Sequence, residues 1–468
     1  MAFFLRRTPN QINPFLFNKF IINSTNNCNL FGISNKLFSF LGRYESTKAA
    51  QLDHQFYSSE DDDLYYPSSH SQLQGMDVPG GKVTFTSEMT FIRESGKTRV
   101  PCYRLLSDNG EPISTQNHQL VSKELATSMY SNMIKLQVMD TFLYEAQRQG
   151  RISFYLTSNG EEAINIASAA ALSLEDIVFA QYREPGILLW RGFSLQEFTN
   201  QCFGNNGDYG KGRQMPIHYG SNKLNYFTIS SPIATQLPQA TGAAYSLKMD
   251  NKDACVVAYM GDGCTSEGDF HAAMNFAAVM EVPVVFICRN NGYAISTPIT
   301  DQFRSDGVVV KGQGYGIRSI RVDGNDSLAI FNVVRAARHI AISEQRPILV
   351  EALTYRVGHH STSDDSTKYR HVEEIQHWKM EKNPVTRFRN WIERNGWWNE
   401  EEESHVRNKF KKEMIEAIQV AEKLEKQPLS EMFKDVYDKP TKDLVEQENF
   451  LRETIKKHPK CYPSDVTM

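Results

Sequence analysis

Two short polar motifs combine the residue types that hold a diphosphate and a divalent cation. An apolar run at 255–260 leads into a Gly-Asp-Gly turn at 261–263, and a second apolar run at 282–288 leads into Asn290 and Asn291. Glycine lets a backbone approach a diphosphate closely, and a helix that starts after such a turn offers free N–H groups. Carboxylate and amide oxygens suit magnesium. The pattern predicts a strand–turn–helix–strand unit that binds a diphosphate together with magnesium.

The spacing of the two motifs is more specific than either motif alone. Gly-Asp-Gly turns are common, but here 26 residues separate Gly263 from Asn290, which matches the thiamine diphosphate motif. A nucleotide-phosphate binder that uses 261–263 as its phosphate loop is an alternative from another class. The chain has no GxxxxGK[ST] sequence, which counts against that alternative.

The elements that would position these motifs alternate along the chain as strands and helices. Strands are predicted at 82–93, 177–180, 255–260, 282–288, 317–322 and 348–353. Helices are predicted at 118–149, 163–171, 235–248, 267–280 and 328–343, with a helical region at 370–425 and a polar tail at 426–468. This alternation predicts an α/β fold with a mostly parallel sheet and helices on both faces, which binds ligands at the carboxyl ends of its strands.

Composition and charge exclude several classes of protein. The length of 468 residues allows two or three domains, or one large domain with extensions, and a hydrophobic content of 40% is too high for a disordered or collagen-like chain. No apolar run approaches 18 residues, so no membrane span is predicted. Residues 51–468 carry 45 basic and 54 acidic side chains, which argues against nucleic acid as a partner. The seven cysteines form no CxxC pair and indicate reduced thiols.

The N-terminal segment has the composition of a targeting peptide. Residues 1–44 contain no Asp or Glu and are rich in Phe, Asn, Ser and spaced Arg or Lys. This predicts a mitochondrial transit peptide over 1–45 and a location in the mitochondrial matrix, with a disordered Asn-rich tail as the alternative. An extended arm is predicted for 46–115, an α/β domain for 116–370, and a helical C-terminal region with its tail for 371–468.

Five segments carry a family resemblance. They read QYRE at 181–184, GKGRQMP at 210–216, ISSPIATQ at 229–236, RNNGYAIST at 289–297 and YRVGHHSTSDD at 355–365. With the diphosphate motif, they make residues from about 115 to 425 resemble the α subunits of the two-chain 2-oxo acid dehydrogenases, and the last two segments resemble the branched-chain type. A pyruvate or acetoin dehydrogenase α subunit is the nearest alternative, and a non-catalytic scaffold subunit is another.

The resemblance implies an activity and a set of cofactor contacts. The activity is the oxidative decarboxylation of 2-oxo acids from leucine, isoleucine and valine, as in 3-methyl-2-oxobutanoate dehydrogenase, followed by reductive acylation of a lipoyl group. The residues implied to contact the thiamine diphosphate are Tyr182, Arg183, Ser231, Ile233, Gly263, Arg289 and His360. Ser231 and Ile233 would meet the aminopyrimidine, and Gly263 would give a backbone donor. His360 is also the catalytic candidate, because it would align or protonate groups during acyl transfer.

The resemblance also implies two metal sites. The magnesium ligands would be Asp262, Asn291 and the carbonyl of Tyr293. The potassium ligands would be the carbonyl or side-chain oxygens of Ser230, Pro232, Thr235 and Gln236.

One part of thiamine chemistry is missing from the chain, namely a glutamate that faces the pyrimidine ring. Only one region of strand–helix alternation is predicted, and the diphosphate motif uses it. The resemblance implies that a β subunit supplies this glutamate in an α2β2 heterotetramer, and that a lipoyl-bearing transacylase core is a further partner. It also marks Ser361 as the target of a regulatory kinase, opposed by a phosphatase, with a simple loop hydrogen bond as the alternative.

Ordinary structural roles are the alternatives for several of these residues. Arg183 and Arg289 are alternatively ion-pair partners, and His359 is the candidate for a hydrogen-bonded loop histidine. The segment 230–232 is alternatively a cap for the helix that begins near 235. Structural roles are predicted for three further polar residues: His218, His271 and Glu267.

Overall fold

The structure is a computed structural model that describes residues 75–79, 81–89, 91, 99–113, 121–462 and 467. The transit peptide predicted for 1–45 and much of the predicted arm lie outside these residues. Residues Met76–Met468 form one structural unit. None of the helices described here is long and apolar enough to cross a membrane.

The central element is a six-stranded sheet whose neighbouring strands are all parallel. The strands of the described chain are β1 (Gly75–Val78), β2 (Gly81–Thr84), β3 (Cys102–Tyr103), β4 (Ile177–Phe179), β5 (Val256–Gly261), β6 (Val284–Asn290), β7 (Tyr293–Ala294), β8 (Thr297–Pro298), β9 (Arg318–Asp323) and β10 (Ile348–Leu353). The sheet has the order β3-β9-β10-β6-β5-β4, while β1–β2 and β7–β8 form two-stranded sheets. The predicted α/β fold with a mostly parallel sheet is confirmed.

Helices cover the sheet and form the C-terminal region. They are α1 (Lys123–Arg148), α2 (Glu162–Ala170), α3 (Pro185–Trp190), α4 (Leu195–Phe203), α5 (Gln236–Met249), α6 (Gly268–Met280), α7 (Ile299–Gln302), α8 (Ser327–Glu344), α9 (Val372–Met380), α10 (Pro384–Arg394), α11 (Glu400–Lys423) and α12 (Lys442–Lys457). The helices predicted at 163–171, 235–248, 267–280 and 328–343 are α2, α5, α6 and α8, with ends within one residue.

Side-chain alternation along the strands divides the core into two apolar layers. In β5, Val256, Ala258 and Met260 belong to a cluster that includes residues of α5 and α6. Val257 and Tyr259 belong to the other cluster, which includes residues of α1, α2 and α8. Successive side chains of a strand point to opposite faces, so a fully apolar strand requires helices on both faces.

Three local features differ from the prediction. Helices α3 and α4 are absent from the predicted elements, although Ser194 and Glu197 form a capping box at the start of α4. The predicted polar tail contains α12, a helix with no buried residue. The strand predicted over 82–93 ends at Thr84 in the part that the structure describes.

A buried carboxylate ties the first strand of the sheet to helix α8. Asp326 Oδ2 accepts hydrogen bonds from Leu105 N at 2.7 Å and Leu106 N at 2.6 Å. Its Oδ1 caps α8 by accepting from Leu328 N at 3.0 Å and Ala329 N at 3.1 Å. The segment that follows β3, which the sequence assigns to the arm, is thereby joined to the α/β domain, and β3 itself pairs with β9.

We expect Asp326→Ala to lower the free energy of unfolding by roughly 2–3 kcal/mol, because it removes a helix cap and leaves two further backbone donors without their acceptor. The matched control is Ser122→Ala, which removes only the cap that accepts from Leu125 N at the start of α1 and should cost about 1 kcal/mol. Thermal unfolding of both variants measures this. Equal losses of stability in the two variants would contradict a role for Asp326 in joining the segment after β3 to α8.

Candidate functional site

The carboxyl ends of four neighbouring parallel strands bring the sequence motifs to one edge of the sheet. β5 ends at Gly261 and β6 ends at Asn290, while 181–183 follow β4 and 355–361 follow β10. A cavity of about 730 Å³ opens at this edge. Its wall contains all of the predicted cofactor and magnesium residues, namely Tyr182, Arg183, Ser231, Ile233, Asp262, Gly263, Arg289, Asn291, Tyr293 and His360.

The lining of the cavity is both cationic and apolar. Three buried guanidinium groups contribute to it, those of Arg183, Arg289 and Arg356. Apolar side chains also line it, among them those of Phe154, Leu156, Met215, Ile217, Ile233 and Ile295. A Cβ atom at Gly263 would lie 2.8 Å from Ala294 Cβ, so any side chain there would force the wall to shift. This combination fits an elongated ligand with an anionic end and an apolar body.

Arg289 is held by two buried carboxylates. Its Nη1 donates to Glu161 Oε2 at 2.9 Å, and its Nε donates to Glu184 Oε1. Burial alone would lower the pKa of Arg289, but the two carboxylates raise it overall, so the guanidinium stays charged. The ion-pair alternative and the cavity position therefore coexist at this residue. Glu161 and Glu184 are absent from the predicted site, although Glu184 stands in the QYRE segment.

The two candidate magnesium side chains are oriented by neighbouring polar groups. Asn291 Nδ2 donates to Glu161 Oε1 at 2.8 Å, and its Oδ1 accepts from Tyr293 N at 3.2 Å. Asp262 Oδ2 accepts from Gln302 Nε2 at 2.8 Å. Burial raises the pKa of Asp262. The described residues contain no group of three or more His, Cys, Asp or Glu side chains arranged for a metal, so any magnesium here must take other oxygens.

His360 lies between two guanidinium groups. Its Nδ1 is 3.2 Å from Arg183 Nη2 and 3.4 Å from Arg356 Nη1, and its backbone N donates to Asp364 Oδ2 at 2.7 Å. Burial, followed by the charges of Arg183 and Arg356, lowers the pKa of His360 to about 3. The imidazole is therefore neutral at physiological pH and accepts a hydrogen bond at Nδ1. His359 instead bonds to Ser366, with Nδ1 3.0 Å from its Oγ.

Two residues that the sequence assigns structural roles also line the cavity. His218 Nε2 lies 2.5 Å from Ser231 Oγ, which couples this imidazole to a predicted cofactor contact. Glu267, at the N-cap position of α6, lines the same cavity and makes no side-chain cap bond. His271 is outside that wall, and its Nδ1 lies 2.5 Å from Tyr315 Oη. His218 lies two residues after the GKGRQMP segment at 210–216, and this closeness is the signal that the sequence offered for it.

The four candidate potassium ligands lie together at the start of α5. Thr235 Oγ1 donates to the carbonyl of Pro232 at 3.0 Å and lies 3.5 Å from Ser230 Oγ. Gln236 is anchored differently, since its Nε2 donates to the carbonyl of Tyr259 at 2.8 Å. The N-cap of α5 is Thr235, and it makes no side-chain cap bond. The capping alternative for 230–232 is therefore not found.

Ser361 lies at the junction of two cavities. It lines the main cavity and also a neighbouring one of about 270 Å³. Its carbonyl accepts from Asp364 N at 3.1 Å, and Asp364 Oδ2 accepts from Tyr369 Oη at 2.7 Å. The loop that carries Ser361 is thus cross-linked beside His360.

Comparisons with known proteins give the family of this chain. Residues 130–430 match the family model described as dehydrogenase E1 component. The chain is 68% identical to 2-oxoisovalerate dehydrogenase subunit alpha 2, mitochondrial, of Arabidopsis thaliana, over 86% of this chain and 85% of that protein. It is 52% identical to the mitochondrial alpha subunit of the same name in Dictyostelium discoideum, over 78% and 83% of the two chains. It is 45% identical to the human one, over 85% and 91%. The chain belongs to the dehydrogenase E1 component family.

Proposed function

We propose that this chain is the α subunit of the decarboxylating component of a branched-chain 2-oxo acid dehydrogenase complex. Its activity is that of 3-methyl-2-oxobutanoate dehydrogenase, which decarboxylates the 2-oxo acids of leucine, isoleucine and valine breakdown and acylates a lipoyl group. The cavity at the carboxyl ends of β4, β5, β6 and β10 carries this proposal. The names of the relatives favour it over a pyruvate or acetoin enzyme, and the word mitochondrial in those names supports a place in the mitochondrial matrix.

The family depends on thiamine diphosphate, and the residues of the cavity fit this cofactor. Tyr182, Arg183, Arg289 and His360 would hold its diphosphate end, with the Gly263 backbone. Ser231 and Ile233 would meet its aminopyrimidine. When bound, thiamine diphosphate supplies the carbon nucleophile and the electron sink for the loss of CO₂. The chain's own contribution is to bind and orient it and to keep His360 neutral as a hydrogen-bond acceptor.

A magnesium ion would complete the anionic end of the site. Asp262, Asn291 and the Tyr293 carbonyl together offer one carboxylate, one amide and one backbone oxygen. Magnesium usually takes only one or two protein carboxylates and obtains its other oxygens from substrate phosphates and water. This donor set fits magnesium bound to a diphosphate.

A potassium ion would organise the other side of the site. Thr235 Oγ1 already lies within hydrogen-bonding reach of the Pro232 carbonyl and of Ser230 Oγ, and Gln236 follows directly. The ion would fix the start of α5 and thereby Ser231, which lies between two of its ligands.

The site also requires a partner. The carboxylates that line the cavity are Asp262, Glu267 and Asp301, and the resemblance assigns the pyrimidine-facing glutamate to none of them. An α subunit belongs to a component with more than one kind of subunit, which supports a β subunit as the partner. The β subunit would supply this glutamate in an α2β2 assembly. A lipoyl-bearing transacylase core would then receive the acyl group.

Ser361 would be the regulatory position, acted on by a kinase and a phosphatase. It directly follows His360 and lines the cavity, close to guanidinium groups that include Arg356. A phosphate would add a charge of roughly −1.5 to −2 at this point. It would compete with the cofactor diphosphate for these cations and disturb the hydrogen bonds of the loop.

We expect Asp262→Ala to weaken magnesium-dependent thiamine diphosphate binding by roughly 100-fold, because it removes the one carboxylate among the proposed magnesium ligands. A 100-fold loss of affinity corresponds to about 2.7 kcal/mol. Isothermal titration calorimetry of the α2β2 protein measures this. Asp269→Ala is the matched control, since Asp269 is exposed in the first turn of α6 and outside the cavity wall. Unchanged affinity in Asp262→Ala would contradict the magnesium assignment.

We expect the purified chain alone to release no CO₂ from branched-chain 2-oxo acids, and activity to appear when the β subunit is added. The reason is that, in this proposal, the pyrimidine-facing glutamate comes from the β subunit. Measuring CO₂ release with an artificial electron acceptor, with and without β, decides this. Turnover by the lone chain would sink the two-subunit architecture.

We expect Ser361→Glu to reduce the overall reaction of the complex by roughly tenfold or more, because the added negative charge would compete with the cofactor diphosphate for the nearby cations. A tenfold loss of rate corresponds to about 1.4 kcal/mol. Ser361→Ala should retain most activity and resist inactivation by the kinase. Ser363→Glu, which adds the same charge at an exposed position outside the cavity wall, is the control. A Ser361→Glu complex that runs at the wild-type rate would refute the switch.

A further inference from the structure

Glu161 is an N-cap residue that does not cap its helix. It precedes α2 and makes no side-chain bond to the first turn of that helix. It is fully buried, and both of its carboxylate oxygens are directed to residues at the end of β6. Oε2 accepts from Arg289 Nη1 at 2.9 Å, and Oε1 accepts from Asn291 Nδ2 at 2.8 Å.

These two contacts fix which atoms Arg289 and Asn291 present to the cavity. With Nε and Nη1 bound to carboxylates, Arg289 has only Nη2 without a hydrogen bond to any described residue. With Nδ2 bound to Glu161, the Asn291 amide can turn only its Oδ1 away from that carboxylate. An amide that donates to a carboxylate cannot flip without placing two acceptors together.

We propose that Glu161 is a positioning residue that aligns the diphosphate-binding guanidinium of Arg289 and the metal-binding oxygen of Asn291 through one carboxylate. This inference rests on the proposed function, because it assigns those roles to Arg289 and Asn291. Glu161 itself lies behind the cavity wall and would touch neither the cofactor nor the metal. Residues that orient a metal ligand in this way commonly change affinity by 10- to 100-fold when they are lost.

Two neighbouring carboxylates provide matched controls. Glu184 is equally buried and also binds Arg289, but it has no contact with Asn291. Glu162 is buried beside Glu161, and its carboxylate accepts from Gln137 Nε2 and Gly160 N. It contacts neither Arg289 nor Asn291, so its loss tests the effect of removing any buried acid at the start of α2.

The test is a set of double-mutant cycles on the α2β2 protein. Thiamine diphosphate affinity is measured by calorimetry at saturating Mg²⁺ for Glu161→Gln, Glu184→Gln and Glu162→Gln, each with and without Asn291→Ala. We expect Glu161→Gln to weaken binding by roughly tenfold or more. Because it acts partly through Asn291, its effect should shrink at least fivefold when Asn291→Ala is already present. For Glu184→Gln and for Glu162→Gln, the fold-loss of affinity in the double variant with Asn291→Ala should equal the product of the two single fold-losses to within about twofold.

A purely structural role for Glu161 would lower the thermal unfolding temperature without producing this coupling. If Glu161→Gln does not assemble with the partner subunit, the same cycle is run with Glu161→Asp, which keeps the charge opposite Arg289. Either of two results would overturn the proposal. In one, the effects of Glu161→Gln and Asn291→Ala on thiamine diphosphate affinity multiply; in the other, Glu161→Gln alone keeps an affinity within twofold of wild type. Failure of the wild-type protein to bind thiamine diphosphate would instead overturn the proposed function.

Discussion

The Arg289 guanidinium between two buried carboxylates is the interaction on which the geometry of the cavity depends. Arg289 lies in β6, Glu161 at the start of α2 and Glu184 at the start of α3. A buried cation is costly unless its charge is balanced and its donors are bonded, and removing one member of such a group is strongly destabilising. These ion pairs therefore connect the end of one strand to two helix starts and set the distance between them.

The parallel sheet makes that connection useful. Because β4, β5, β6 and β10 run in the same direction, the segments that follow them meet at one edge, and the two apolar layers hold that edge rigidly from both faces. Helix starts also gather there, where free N–H groups favour an anion. Cations, hard oxygens and apolar side chains are thus supplied by different elements to one volume of about 730 Å³.

The same electrostatics explains the state of His360. Burial of the imidazole, and then the two guanidinium groups next to it, lower the pKa of His360, so a residue whose ordinary titration lies near neutrality stays neutral here. A phosphate on the adjacent Ser361 would offset most of the positive charge of these two guanidinium groups. In the proposed function the loop would serve both as a part of the cavity wall and as a regulatory position, since both roles would depend on the charge around His360.

The sequence by itself determined the chemistry and the sheet. Apolar runs of strand length, with helices between them, require a parallel sheet covered on both faces, and the Gly-Asp-Gly and Asn-Asn motifs fall at strand ends for that reason. The tertiary structure alone decided which buried polar groups support the site. Glu161 and Glu184 are 128 and 105 residues from Arg289 in the chain, whereas His218 is 13 residues from Ser231. A carboxylate at a helix start resembles a cap until the packing shows what it binds. Local pattern carries no information on such pairings, because they are fixed only when the helices dock on the sheet.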